Sequence, residues 1–225
     1  MGENKWRDED TWPLERAIQT KLYLHSLGNS NSITGDGKLT LDPPAAEKED
    51  TFIYDPQNPV PTIGGGLCCN PSFMSPGAFD HSEIETRKDV LVFSTDPLEK
   101  PLEVTGPITL HVFVSSTAQD TDFTAKLLDV EPCGYARNLT DGIIRGRFRN
   151  TDRNASLMNP KEQYQMKINL GATSNLFLKG HQIRLEISSS NFPRFDRNSN
   201  TGGEIGTGKT FVKATQKIFH DKNSP

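Results

Sequence analysis

Residues 163–170 read QYQMKINL and alternate polar and apolar side chains without a break. The apolar members of this stretch are Tyr164, Met166, Ile168 and Leu170. A period of two is typical of a β-strand that has one buried face and one face in water. The stretch therefore predicts a strand in a sheet whose two faces differ.

The same alternation recurs along the chain. Residues 182–188 place Ile183, Leu185 and Ile187 on one side and Arg184 and Glu186 on the other. Turn residues separate such segments, and no stretch between them is long and helical enough for the crossover that parallel strands usually require. One-faced strands must bury their apolar rows against each other, so we expect an all-β protein, a jelly-roll-like antiparallel β-sandwich over residues 75–225. The other strand candidates are residues 21–25, 51–54, 90–93, 108–114, 123–130 and 143–148.

Residues 1–74 have a looser pattern. Residues 42–50 are charged and rich in proline, and residues 54–66 carry three prolines followed by three glycines. Prolines hold a backbone extended, and glycines allow it to bend sharply. We expect residues 1–74 to form an extended N-terminal segment, and its arm at residues 54–69 to lie on another domain and to be exposed or mobile without it.

Composition narrows the classes of function. The 225 residues carry 25 basic and 29 acidic side chains, a net charge of −4, with no block of five like charges. This is not the charge pattern of a nucleic-acid-binding protein, and no apolar run is long enough for a membrane span or a signal core. Three cysteines without a CxxC spacing give neither a disulfide framework nor a zinc site. We expect a cytoplasmic protein.

One phosphate-binding motif is present in the wrong context. Residues 203–210 read GEIGTGKT and match the G-x-x-x-x-G-K-[ST] loop of nucleotide-binding proteins. That loop must follow a buried strand and lead into a helix. Here a charged segment with a proline precedes it. We interpret residues 203–210 as an exposed glycine-rich loop.

Catalytic and metal motifs are weak. No G-x-S-x-G nucleophile turn exists, and the five histidines are dispersed, so we expect structural or surface histidines and no catalytic residue in this chain. Asp120 with Asp122, or Asp80 with His81, could hold a metal ion, but turns in which such residues bond their own backbone are far more common. We predict no cofactor and no metal.

Cys68 and Cys69 are adjacent and follow the triple glycine. They could form a redox pair, although adjacent cysteines close only a strained ring; packing as small apolar residues is the favoured interpretation. The N-x-[ST] sequons at Asn138 and Asn154 would matter only in a secreted protein.

Taken together, these stretches resemble the C-terminal non-catalytic domain of the X-Pro dipeptidyl-peptidase and CocE/NonD (cocaine-esterase-like) hydrolase family. The resemblance covers nearly the whole chain, and residues 186–198, EISSSNFPRFDRN, are its most diagnostic part. The other matching stretches are residues 6–10, 12–13, 21–26, 54–56, 59–65, 89–93, 120–127 and 141–145.

The resemblance implies a jelly roll packed on an α/β-hydrolase domain earlier in the same chain, which would supply a Ser-His-Asp triad. It also implies oligomer contacts and, in relatives, one further strand after residue 221. It assigns Leu67, Cys68 and Cys69 to the wall of the substrate pocket. Two small thiols stand where larger apolar residues are usual, so we expect a wider pocket.

These observations favour an accessory domain of a serine acyl or aminopeptidyl hydrolase, and leave open whether X-Pro peptides, esters or amides are cleaved. The alternative is a free-standing carbohydrate-binding jelly roll. Such a module would present a row of exposed aromatic side chains on one sheet face. The two tryptophans, Trp6 and Trp12, both lie in the N-terminal segment instead.

Overall fold

The computed structural model describes residues 1–68, 72, 74–150 and 153–225. Within these residues the regular structure consists of strands and two 3-10 turns, Ile84–Thr86 and Gly146–Phe148, and no helix could span a membrane. The strands are β1 (Tyr23–His25), β2 (Lys38–Thr40), β3 (Asp50–Tyr54), β4 (Leu91–Ser94), β5 (Leu102–Ser116), β6 (Asp122–Val130), β7 (Ala136–Arg145), β8 (Tyr164–Phe177), β9 (Gln182–Ser188) and β10 (Ala214–Phe219).

The strands form two sheets, one with the order β1-β2-β4-β9-β6-β7 and one with the order β3-β10-β5-β8. Their inner faces share one apolar core. Ile168 on β8 and Ile187 on β9, predicted to point inward, are both 0% exposed. The predicted all-β sandwich is therefore confirmed.

The expectation that every strand pair is antiparallel is wrong at one place. β2 pairs with β4 in parallel, with Lys38 opposite Ser94. The physical reason is the long connection between them, residues 41–90, which carries β3 into the other sheet. Such a connection can return the chain in the same direction without an α-helix.

The N-terminal segment also differs from the expected arm. β1, β2 and β3 precede residue 75 and belong to the two sheets. Val60 is 1% exposed, its N–H donates to Ser190 Oγ, and its carbonyl accepts from the N–H of Phe192. Val60 and Thr62 keep the N–H groups that the neighbouring prolines lack, and Thr62 continues the pairing by donating to the Phe192 carbonyl.

The face of β9 that the alternation assigned to water is covered. Arg184 is 6% and Glu186 2% exposed, because the connection between β3 and β4 packs over them. Each finds a charged partner there or on the neighbouring strand: Arg184 Nη1 lies 2.6 Å from Glu85 Oε2, and Glu186 Oε2 lies 3.5 Å from Lys126 Nζ. The outer face of the six-stranded sheet thus carries a buried charged layer.

Candidate functional site

The predicted pocket-wall residues come shortly after Gly65, whose backbone pairs with that of Gly77. The N–H of Gly65 donates to the carbonyl of Gly77 over 2.7 Å, and the N–H of Gly77 donates back over 3.1 Å. Gly64 and Gly65 have φ values of +60° and +95°. A Cβ atom at Gly64 would lie 2.4 Å from the Gly77 carbonyl oxygen, so this pairing requires glycine.

Leu67 and Cys68 lie directly beyond this pairing. Leu67 is half-buried, and its N–H donates to the Gly65 carbonyl over 2.9 Å. Cys68 is exposed, and its sulfur takes part in a disulfide bond. It therefore differs from the expected packed free thiol, because it lies outside the sandwich core. Cys69, the third predicted wall residue, lies outside the described residues.

An ion pair between Arg194 and Asp141 lies beside these glycines. The Nη1 atom of Arg194, from the segment after β9, lies 2.6 and 2.5 Å from the two carboxylate oxygens of Asp141 on β7. A Cβ atom placed on Gly65 would lie 2.8 Å from this Nη1, and one on Gly66 would lie 3.7 Å from Nη2. The guanidinium group therefore occupies the space beside the glycines that precede Leu67.

A buried histidine holds the chain just before the glycines. His81 Nε2 lies 2.8 Å from the carbonyl oxygen of Ile63, and His81 Nδ1 lies 3.3 Å from Glu186 Oε1. The Ile63 carbonyl only accepts, so Nε2 carries a hydrogen and donates to it. Burial opposes the ionisation of Glu186, but the charge of Lys126 and the bond from His81 outweigh it and hold the pKa of Glu186 below its usual value.

The glycine-rich loop at residues 203–210 is exposed, with neither a strand directly before it nor a helix after it. It borders a cavity of about 290 Å³ that is also lined by three arginines. Each arginine already has a protein partner, which leaves no preformed phosphate cradle. The three pairs are Arg145 with Asp122, Arg147 with Asp120, and Arg197 with the carbonyl of Pro56.

The carboxylates of the two candidate metal sites also have protein partners. Besides their arginines, Asp120 and Asp122 share the side-chain amide of Asn198, whose Nδ2 donates to both over 2.9 and 2.8 Å. Asp80 accepts the backbone N–H groups of Ser82 and Ala136. Over the described parts of the chain, no three His, Cys, Asp or Glu side chains are grouped to hold a metal ion.

One contact set imitates a catalytic triad. Thr40 Oγ1 lies 2.9 Å from His25 Nε2, and His25 Nδ1 lies 2.6 Å from Glu47 Oε1. However, His25 Nε2 is also 2.9 Å from the carbonyl oxygen of Asp42, which can only accept. Nε2 therefore carries a hydrogen and cannot take a proton from Thr40, so the set is structural. Sequence reasoning missed it because its residues are separated along the chain.

The remaining histidines agree with the structural or surface roles expected of them. His111 is exposed on β5. The others contact carboxylates and link neighbouring segments. These contacts are His81 with Glu186, His181 with Asp129, and His220 with Asp50.

Comparison with known proteins agrees with this architecture. The family model of the X-Pro dipeptidyl-peptidase C-terminal non-catalytic domain matches residues 1–225. Cocaine esterase from Rhodococcus sp. (strain MB1 Bresler) is 49% identical over 205 residues, which is 91% of this chain and 35% of that protein. The chain thus spans about a third of the length of this curated relative.

Two solved structures superpose over the full chain. An aminopeptidase from the marine sediment archaeon Thaumarchaeota archaeon shares 31% identity with a TM-score of 0.87, and an α-amino acid ester hydrolase shares 26% with a TM-score of 0.86. Each superposition covers 100% of this chain and 38% of the other protein's chain. The chain belongs to the family of X-Pro dipeptidyl-peptidase C-terminal non-catalytic domains.

Proposed function

We propose that this chain is the accessory β-sandwich of a serine hydrolase that acts on acyl or aminopeptidyl substrates. An α/β-hydrolase domain of the same protein would supply the Ser-His-Asp triad. The first support is the family to which the chain belongs. The second is that the chain matches only 35–38% of the length of relatives named as an esterase, an aminopeptidase and an ester hydrolase. The third is that no histidine in the described residues is placed to take a proton from a hydroxyl group.

Within that enzyme, Leu67, Cys68 and Cys69 would form part of the substrate-pocket wall. The observation that carries this role is the backbone pairing of Gly65 with Gly77, because the N–H of the half-exposed Leu67 bonds directly to the paired Gly65. Phe79, 39% exposed, lies beside the same glycines and adds apolar surface. An apolar wall suits the acyl group of an ester or the side chains of a short peptide.

The same protein would form homo-oligomers. β3 is an edge strand of the four-stranded sheet, and its Ile53 is 59% exposed. An open edge with an exposed apolar side chain favours pairing with a second chain. Light scattering of wild type and Ile53→Lys tests this, with a lower mass expected for the variant and an equal mass counting against it.

Nothing among the described residues favours the carbohydrate-binding alternative. The exposed aromatic side chains found there are Trp6, Trp12, Phe79 and Phe192, and none of them lies in a strand. A sugar-binding sheet face would need aromatic rings side by side on neighbouring strands.

The test compares the chain alone with the chain joined to its hydrolase domain. We expect no turnover of chromogenic esters or X-Pro anilides by the chain alone, and turnover that a serine-directed inhibitor blocks in the joined protein. Leu67→Ala in the joined protein should raise KM and leave kcat nearly unchanged, because the wall contacts the bound substrate and not the attacking serine.

Leu41→Ala is the matched control, since Leu41 is an exposed leucine after β2, at the other side of the six-stranded sheet from β7. Equal KM values for the two variants would refute the wall role. Inhibitor-sensitive turnover by the chain alone would refute the accessory role.

A further inference from the structure

We propose that Arg194, through its ion pair with Asp141, is a positioning residue that sets where the pocket wall stands and thereby which acyl groups the enzyme binds well. This inference rests on the proposed wall role of Leu67. It concerns how that wall is held, which is decided by contacts within this chain.

The first step is that the backbone of Leu67 follows Gly65. The N–H of Leu67 bonds to the Gly65 carbonyl, and Gly65 is itself bonded in both directions to Gly77. A displacement of Gly65 must therefore move Leu67, because only Gly66 separates them and a direct hydrogen bond joins them.

The second step is that Arg194 limits where Gly65 can lie. Its guanidinium group fills the side of Gly65 on which a Cβ atom would stand, and Asp141 Oδ2 would lie 3.4 Å from that atom. Because the backbone rests on the end of a side chain here, removing that side chain opens space into which Gly65 and Gly66 can move.

The third step is that Arg194 is itself fixed. Asp141, whose side chain is 9% exposed, holds the guanidinium; the Arg194 N–H bonds to Thr62 Oγ1 over 3.2 Å; and the ring of Phe195 lies 5.2 Å from the guanidinium carbon. Asn191 Nδ2 in turn donates to Asp141. The guanidinium group of Arg194 is therefore held in place by several contacts, unlike that of an unpaired surface arginine.

The ordinary role of such a pair is stability alone, and the kinetic readout separates the two roles. A purely structural arginine would lower the unfolding midpoint and leave KM unchanged. A positioning arginine changes KM and the preference among acyl groups, while kcat is held by a triad in another domain.

The experiment uses the protein joined to its hydrolase domain and p-nitrophenyl esters with acetyl, butyryl and benzoyl groups. We expect Arg194→Gln to raise KM for the largest acyl group by at least about threefold with kcat little changed. Arg194→Lys, which keeps the charge but loses the planar fork, should fall between wild type and Arg194→Gln. Gly65→Ala, which crowds Nη1 at a positive φ, should also raise KM.

Arg137→Gln is the control, because Arg137 on the same strand as Asp141 pairs with Glu131 over 2.7 Å but does not approach the glycines. It should leave KM unchanged. In a Leu67→Ala background, Arg194→Gln should add no further change in KM, since the wall side chain through which it acts is gone.

The outcomes separate the two proposals. If Leu67→Ala raises KM and neither Arg194→Gln nor Arg194→Lys does, the positioning role is overturned and the wall role stands. If Arg194→Gln raises KM equally with and without Leu67, Arg194 acts by another route and the inference is also overturned. If Leu67→Ala has no effect, the proposed wall role fails, and the positioning role of Arg194 fails with it. Should Arg194→Gln not fold, Arg194→Lys decides by the same comparison.

Discussion

The Nε2 atom of His220 lies 2.8 Å from Oδ2 of Asp50, and the two side chains are 2% and 0% exposed. Asp50 opens β3, and His220 directly follows β10. The same carboxylate accepts bonds from Ser26 Oγ and the Ser30 N–H. One buried carboxylate thus joins the four-stranded sheet to the segment that follows β1 of the other sheet.

This contact predicts a pH dependence of stability. Burial opposes both charges, yet the pKa of His220 is raised by its bond to Asp50, and the bonds from His220, Ser30 and Ser26 hold the pKa of Asp50 below its usual value. Stabilisation from His220 is complete below the unfolded pKa of histidine and is lost as pH rises through the raised value. Stabilisation from Asp50 is complete above the unfolded pKa of aspartate and is lost as pH falls through the lowered value.

We therefore expect the difference in unfolding free energy between wild type and His220→Gln to be largest between these two pKa values and to shrink on either side. Urea titrations across the pH range measure it. His111→Gln, at an exposed histidine on β5, is the control and should show no such window. A difference independent of pH would refute the assignment of charge to this pair.

Truncation of the core should separate the two faces of β8. Ile168 is fully buried, and Lys167 beside it is exposed. We expect Ile168→Ala to lower the free energy of unfolding by about 2–4 kcal/mol through lost burial and a cavity, and Lys167→Ala to change it far less. Equal shifts in the urea midpoint would show that the register of β8 is wrong.

Arg184 lies in the buried charged layer on β9, although the sequence pattern placed it in water. We therefore expect its truncation to cost much more stability than that of the exposed Lys167. Burial raises the pKa of Glu85 to about 7, against the opposing influence of Arg184 and with the help of Glu186. Arg184→Ala at alkaline pH should cost about 3–5 kcal/mol, because it leaves the Glu85 charge buried and unpaired. At pH 5, where Glu85 is protonated, the cost should be smaller.

The control for this layer is Arg137→Ala, which breaks an ion pair that is partly in solvent and should cost about 0–1 kcal/mol at either pH. A carboxyl with a raised folded pKa stabilises the protein below its unfolded pKa and loses this contribution as pH rises toward the folded value. Wild-type stability should therefore fall as pH rises from the ordinary glutamate range toward 7. In Glu85→Gln this fall should be absent. An unchanged fall in that variant would assign the titration to another group.

Nucleotide binding at the glycine-rich loop is expected to be absent. Lys209 is exposed on a loop with no helix behind it, and the arginines around the neighbouring cavity are already paired. Calorimetric titration with ATP and magnesium should give no heat of binding. Micromolar affinity that Lys209→Ala abolishes would contradict this.

Alternation alone located the core rows, because a period of two determines which side chains share a face; Ile168 and Ile187 were found in this way. It could not predict the burial of Arg184, since the pattern describes one strand and not what packs over its polar side. The resemblance pointed to Leu67 and Cys68. The pairing of Gly65 with Gly77, and the position of Arg194 beside it, were not predictable because nothing local in the sequence indicates which distant segment meets these glycines.

The position of β10 has a consequence for how the chain is made. β10 lies between β3 and β5 in the four-stranded sheet, although it follows both of them in sequence and comes last among the described strands. During synthesis, the edges of β3 and β5 that pair with β10 lack this partner until residues 214–219 leave the ribosome. Insertion of β10 therefore joins segments more than 150 residues apart, such as Phe52 and Gln216, and until it occurs the nascent chain carries open edges that can pair wrongly.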